Sequence, residues 1–330
     1  GIQLAAALKK GFPLGRRFVI FHPMVKKIAM LMLPATIGTA MYQVNIFVDQ
    51  ICASFESVVG EGALAALWYA NRLMQFPLAI FGLAMATAIF PAMSGSVSKG
   101  DMDTFKERIS FGLRFVFLLT IPSAVGLMVL RKPIISVLFQ RNEFGAYSTD
   151  ITSAALLYYC VGLFAYAGVH ILSRSFYSLQ DMITPIKAAA VAMVFNIALN
   201  LILMHPLRVG GLALATSISA VINFTLLIYF LNRRTGGFGE KKILFSFLRI
   251  LGISAVMGVV LVAVTQLLPE TGSFPCRLMN LCISILAGVF TFLAILLLFR
   301  VEEFRILKKA IRNRSRLPVH GSLLNRNGKT

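Results

Sequence analysis

The stretch WYANRLMQFPLAIFGLAMATAIFPAMS, residues 68–94, carries one charged side chain, Arg72, in an apolar run long enough to cross a bilayer. An arginine within hydrocarbon is costly, so its surroundings must compensate it. Arg72 stands between two amides, Asn71 and Gln75. On a helical wheel Trp68, Asn71, Arg72, Gln75, Ala79 and Gly82 share an arc of about 100°, and the opposite side is Leu, Met, Phe and Ile. Such a stripe suits the wall of a polar cavity better than contact with lipid.

The rest of the chain has the same character. Of 330 residues, 58% are hydrophobic and 14% are charged, and the mean hydropathy is +0.80. A soluble domain carries about a quarter charged residues. The fold class expected is therefore all-α, a polytopic membrane helix bundle of about eight transmembrane helices. The spans fall at 27–53, 64–93, 109–130, 151–173, 184–204, 210–231, 243–268 and 277–300. Pro34, Pro77 and Pro122 lie inside spans, where neighbouring helices can satisfy the backbone groups they free. The chain opens at GIQLAAALKKG without a Met, and reads as the tail of an earlier helix entering a basic linker.

A net charge of +19 invites a nucleic-acid reading, but the placement of the charges argues for membrane topology instead. Twenty-four Lys and Arg fall in the amino-terminal segment, in the loops after the second, fourth and sixth spans, and in the tail from Arg300. The opposite loops hold five: Arg131, Lys132, Arg141, Arg208 and Arg277. By the positive-inside rule both ends of the chain are cytoplasmic, and no nucleic acid is expected as a partner. The tail 301–316 has the makings of an interfacial helix on anionic lipid, or of a basic stop-transfer flank.

No enzyme signature is present: there is no HExxH, GxSxG, GxxxxGK[ST] or GxGxxG. The four cysteines show no metal-ligand spacing, and no cofactor or metal is expected. A membrane enzyme would cluster its acids near the surface. The densest group, Asp101, Asp103 and Glu107, reads as a solvated loop entering a helix. His170 lies alone within a span, open to a proton-relay reading or to plain packing.

The first span adds Asn45 and Asp49, four residues apart on one helical face, and Gln43 and Gln50 one heptad apart. Two readings of Arg72 stand together. It either pairs with Asp49 and holds two helices, or offers its guanidinium fork to an anion entering a cavity. Asn196, Asn200 and Asn223 read as interhelical hydrogen-bonders.

The runs NIFVDQICASF (45–55) and WYANRLMQFPLAIFGLAMATAIFPAMS (68–94) resemble the MurJ/MviN family of lipid II flippases. So do IPSAVGLMVL (121–130), FYSLQDMITPIK (176–187) and GGLALATSIS (210–219). The family belongs to the multidrug/oligosaccharidyl-lipid/polysaccharide exporter superfamily, and the resemblance covers nearly the whole chain. It implies a basic linker at 1–26, the second six-helix lobe at 27–231, two additional helices at 232–300 and a basic cytoplasmic tail at 301–330. A first lobe of the same protein would precede them. It further implies alternating access in the bacterial inner membrane, moving lipid II outward with its diphosphate-sugar head in a cationic cavity. The substrate-binding residues expected are Arg72, Asn71, Gln75 and Trp68, with Asp49 and Asn45 as an ion pair or coupling site. A related exporter of drugs or of another polyprenyl-linked oligosaccharide is the alternative. Some relatives have acids beside the arginine where this chain has Asn71 and Gln75.

Overall fold

The computed structural model describes residues 43–268 and 274–298. The linker 1–26, most of the span expected at 27–53, and the tail 301–330 lie outside the described residues; the part at 43–53 is helical (α1). After the short α2 (Glu56–Val59), α3 (Ala63–Pro77) runs through a π-helical segment, Leu78–Leu83, into α4 (Ala84–Ser98). There follow α5 (Met102–Val129), α6 (Arg131–Phe139), α7 (Ala146–Val161) and α8 (Leu163–Ser178). The last four are α9 (Ile183–Leu207), α10 (Val209–Thr235), α11 (Glu240–Leu267) and α12 (Phe274–Leu298). Among the described residues there is no strand. Six helical segments are long and apolar enough to cross a membrane, and α7 with α8 make a seventh, broken span.

Two breaks depart from the simple helices expected. The span read as continuous over 151–173 is bent by 45° between α7 and α8. Gly162 sits at the bend, where a Cβ would lie 2.8 Å from the Cα of Ser217 on α10. The Ser217 hydroxyl donates to the carbonyl oxygens of Tyr158 (2.7 Å) and Tyr159 (3.2 Å). A hydroxyl from the neighbouring helix thus serves carbonyls at the break, which is how broken helices survive in lipid.

The second break follows Pro77, which has no N–H to donate. The chain relaxes into the wider π turn over Leu78–Leu83, and this shifts the angular phase of everything beyond it. Gly82, placed on the cavity stripe by the wheel, is instead buried, and a Cβ there would lie 3.1 Å from that of Ala167 on α8. The stripe therefore ends near Ala79.

Two large apolar cores fill the bundle, and a smaller third cluster of Leu130, Val137, Met257, Leu261 and Leu281 holds α11 and α12 against α6. One joins the ends of α4, α5, α8, α9, α10 and α11 around Phe105, Phe117 and Phe176. The other joins α1, α3, α7 and the α9–α10 turn around Leu156, Leu163 and Leu212. Leu78 and Tyr166 touch both. Phe117, Phe164, Phe224 and Phe247 pack with ring centroids 5.0 to 6.2 Å apart, tying α5, α8, α10 and α11 together. Gly168 leaves room for this, since a Cβ there would lie 2.4 Å from the Phe224 ring. Helices α11 and α12 bury one side against this body and expose Phe245, Val259 and Phe290 on the other, the surface lipid would cover.

The polar contacts sort the loops to two ends. At one end Lys132 pairs with Asp150 at 2.7 Å, and Arg277 donates to Ser136 and Gln140. At the other, Arg234 pairs with Asp181, and Ser94 donates to Ser178. The FYSLQD segment owes its form to that second end. The Asp181 carboxylate accepts from the Thr184 hydroxyl (2.7 Å) and from the N–H groups of Ile183 and Thr184, capping α9. Asp101 likewise accepts from Thr104 N–H and caps α5. Hydrogen bonding from the Thr104 side chain, and then from its N–H, holds the Asp101 carboxyl below its usual range, so this acid group is helix-starting structure.

Candidate functional site

A cavity of about 450 Å³ opens where the two cores meet, between α1, α3, α7, α8, α9 and α10. Its polar lining includes Asn45 and Asp49 from α1, Asn71 and Gln75 from α3, Tyr166 and His170 from α8, and Thr216 and Asn223 from α10. Helical spacing explains the α3 contribution: Asn71 and Gln75 are one turn apart, and the Gln75 amide donates to Asn71 Oδ1 at 2.5 Å.

The structure divides the sequence-predicted residues into three groups. Asn71 and Gln75 line the cavity. Arg72 and Trp68 do not; both are exposed on the adjacent face of α3, with the guanidinium 5.6 Å from the indole centroid. That separation permits a cation–π contact, which covers one face of the arginine.

Asp49 and Asn45 belong to the third group. The Asp49 carboxylate accepts from Asn200 Nδ2 at 2.6 Å and from the Thr216 hydroxyl at 3.5 Å. Asn200 also donates to Asn196 Oδ1 at 3.0 Å. With the Asn196 amide turned over, its nitrogen reaches Asp49 Oδ1 at 3.1 Å and Asn45 Oδ1 at 3.0 Å. The ion pair of Arg72 with Asp49 is not formed; the pairs among the described residues are Lys132–Asp150 and Arg234–Asp181. Asp49 has its donors from the completely buried amides of α9 and from α10, whereas Arg72 points to the outside of the bundle.

This cluster is the part sequence reasoning did not assemble. Asn196 and Asn200 are interhelical hydrogen-bonders, as their types suggested, but their partner Asp49 lies some 150 positions away in sequence and is paired only by the fold. The legible signal was their spacing: two amides four residues apart on an apolar helix mark one polar face. A carboxylate among amide and hydroxyl oxygens could take up a proton or a small hard cation. No three His, Cys, Asp or Glu side chains come together as a metal site among the described residues. Cys52 and Cys160 are buried and Cys276 and Cys282 exposed, and none of the four is in a disulfide. His170 is on the cavity wall.

The chain is similar to known proteins along most of its length. Residues 2–299 match the family described as lipid II flippase MurJ. A probable lipid II flippase MurJ of Vibrio cholerae is 39% identical over 241 residues, covering 71% of this chain and 45% of that protein. That of Haemophilus influenzae is 32% identical over 297 residues, covering 86% and 57%. A solved lipid II flippase MurJ in an inward closed conformation superposes with a TM-score of 0.70 at 26% identity, over 91% of this chain and 60% of that one. A transporter of the MOP superfamily from Pyrococcus furiosus gives 0.51 at 19% identity, over 80% and 62%, a likeness of fold alone. The chain spans about half the length of the curated relatives it matches.

Proposed function

The chain belongs to the lipid II flippase MurJ family, and from that premise we propose that it forms part of a flippase for lipid-linked peptidoglycan precursor. Lipid II is taken from the cytoplasmic leaflet and delivered to the outer leaflet of the bacterial plasma membrane. Residues 27–231 serve as one six-helix lobe and 232–300 as two additional helices. A second lobe of the same protein closes a central cavity over the exposed face of α3. The charge bias of the loops supports cytoplasmic placement of both ends.

One observation carries the reading. Arg72, in a span of high hydropathy, is exposed, lies over the Trp68 ring and makes no ion pair with a carboxylate among the described residues. Burying a lone guanidinium in lipid costs about 3 kcal/mol on insertion scales, so the position is tolerable only where water or an anion meets it. A diphosphate meets it well, because the guanidinium fork matches phosphate oxygens bidentately as an ammonium cannot.

Transport requires no bond-breaking at this site. The two lobes rock between inward and outward openings, and the head group shifts that equilibrium by its different affinity for each. With no nucleotide-binding motif in the chain, the drive comes from membrane potential, an ion gradient or removal of product. The Asp49 cluster, on the cavity edge and joining α1, α9 and α10, is placed to couple a proton or cation to that motion.

The test is Arg72→Ala in the complete protein, expressed in a flippase-depleted bacterium. The variant is expected to insert at normal abundance and fail to restore growth or lipid II translocation. Normal translocation would remove the anion-binding role of Arg72.

A further inference from the structure

We propose that the cavity beside Arg72 is a sugar subsite, taking the uncharged amino-sugar ring next to the diphosphate while Arg72 holds the diphosphate outside it. This rests on the flippase reading and divides the head group between two faces of α3.

The cavity chemistry opposes an anion. Among the described residues no Lys or Arg lines it, and the one carboxylate among them, Asp49, would repel phosphate. What it offers is neutral hydrogen-bonding groups: the amides of Asn71, Gln75 and Asn223, with Tyr166 and His170 on the facing helix. Amides and aromatic rings at the edge of an apolar pocket suit a ligand of hydroxyl and acetamido groups on a carbon ring.

Two details point to an occupant. Asn223 Oδ1 is buried on the cavity wall without a hydrogen-bond partner among the described residues, a state that costs free energy until a donor arrives. The bond from Gln75 to Asn71 uses one donor and one acceptor. Asn71 Nδ2 and Gln75 Oε1 then remain for a ligand, a donor and an acceptor presented as a pair. A sugar hydroxyl or acetamido group can answer both.

Size and connectivity agree. At about 450 Å³ the cavity lies toward the small end of ligand sites. It has room for one ring of the head group, the remainder extending beyond its open side. Asn71 and Arg72 are consecutive residues about 100° apart around the helix. A phosphate on the guanidinium therefore places the group bonded to it at the cavity mouth.

The experiment compares two probes on the purified complete protein: lipid II, and the same polyprenyl diphosphate without sugar. Asn223→Leu and Gln75→Leu are each expected to weaken lipid II binding about tenfold while changing binding of the sugarless lipid less than twofold. Binding of the sugarless lipid also reports that each variant is folded. Arg72→Gln is expected to weaken both probes alike. If both leucine variants weaken the two probes equally, or neither, the subsite is overturned and the flippase reading stands. If Arg72→Gln affects neither probe while the leucine variants selectively weaken lipid II, the anion role of Arg72 fails and the subsite survives. Failure of the wild-type protein to bind either probe overturns both.

Discussion

Asp49 and Arg72 are charged residues of the first two spans, and the bundle treats them in opposite ways. Asp49 is drawn inward and given donors by Asn200 and Thr216, with Asn196 in reach. Arg72 is turned outward, with an indole on one side and no ion pair among the described residues. A membrane protein can tolerate an ionisable group by solvating it internally or by presenting it to something else. The first solution contributes to folding and to coupling between helices. The second leaves binding capacity unspent, which is what a substrate site requires.

The comparison breaks most readily at Asn200. Asn200→Leu removes the closest donor to Asp49 and leaves a carboxylate short of partners, costing about 2 kcal/mol. Thermal unfolding in detergent and abundance in the membrane should both fall, whereas Arg72→Ala should alter stability by less than about 0.5 kcal/mol. A comparable loss in the two variants would mean that Arg72 also supports the fold. A double-mutant cycle sharpens the point. Asp49→Asn with Asn200→Leu is expected to show coupling of about 1 kcal/mol, and Asp49→Asn with Arg72→Ala none beyond about 0.3 kcal/mol. Significant coupling in the second cycle would restore the ion pair that the structure does not form.

The smallest effect expected concerns an ordinary salt bridge, set against both membrane sites. Arg234 pairs with Asp181 at a loop end, partly exposed, so Arg234→Ala should cost about 0.5 kcal/mol. Burial alone would raise the Asp181 carboxyl, but the Thr184 hydrogen bonds and then Arg234 and Ile183 outweigh it and hold the group below 3.8. A carboxyl lowered by folding stabilises the folded state above the unfolded range, and that contribution is lost as pH falls through the folded value. The difference between wild type and Arg234→Ala should therefore persist at neutral pH and be lost only in acid, as the pH falls below the ordinary carboxylate range and through the lowered value of Asp181. Stability curves against pH would show it, and a difference that grew in acid would contradict it.

Much of the architecture was legible because lipid makes the code simple. An apolar run of about twenty residues must satisfy its own backbone, so it must be helical. The spans ending near Ser98, Val129, Leu207, Thr235, Leu267 and Leu298 correspond to helices. The bend at Gly162 was hidden because its carbonyls are served by Ser217, 55 positions on. The phase slip after Pro77 was hidden because a wheel assumes one angle per residue throughout.

The polar residues divide by the same logic. Residue type and local spacing were enough to mark Asn71, Arg72 and Gln75 as one stripe, since neighbours within a turn are fixed by helix geometry. They could not say that a cavity edge runs along that stripe, with the amides inside and the arginine outside. Nor could they join Asp49 to Asn200, because helix periodicity says nothing of which helices meet. The sequence by itself determined the class of solvent, the helices and the residues too polar to face lipid. Only the tertiary structure decided which of those residues satisfy one another and which face the cavity or the outside of the bundle, because that depends on how separate helices pack.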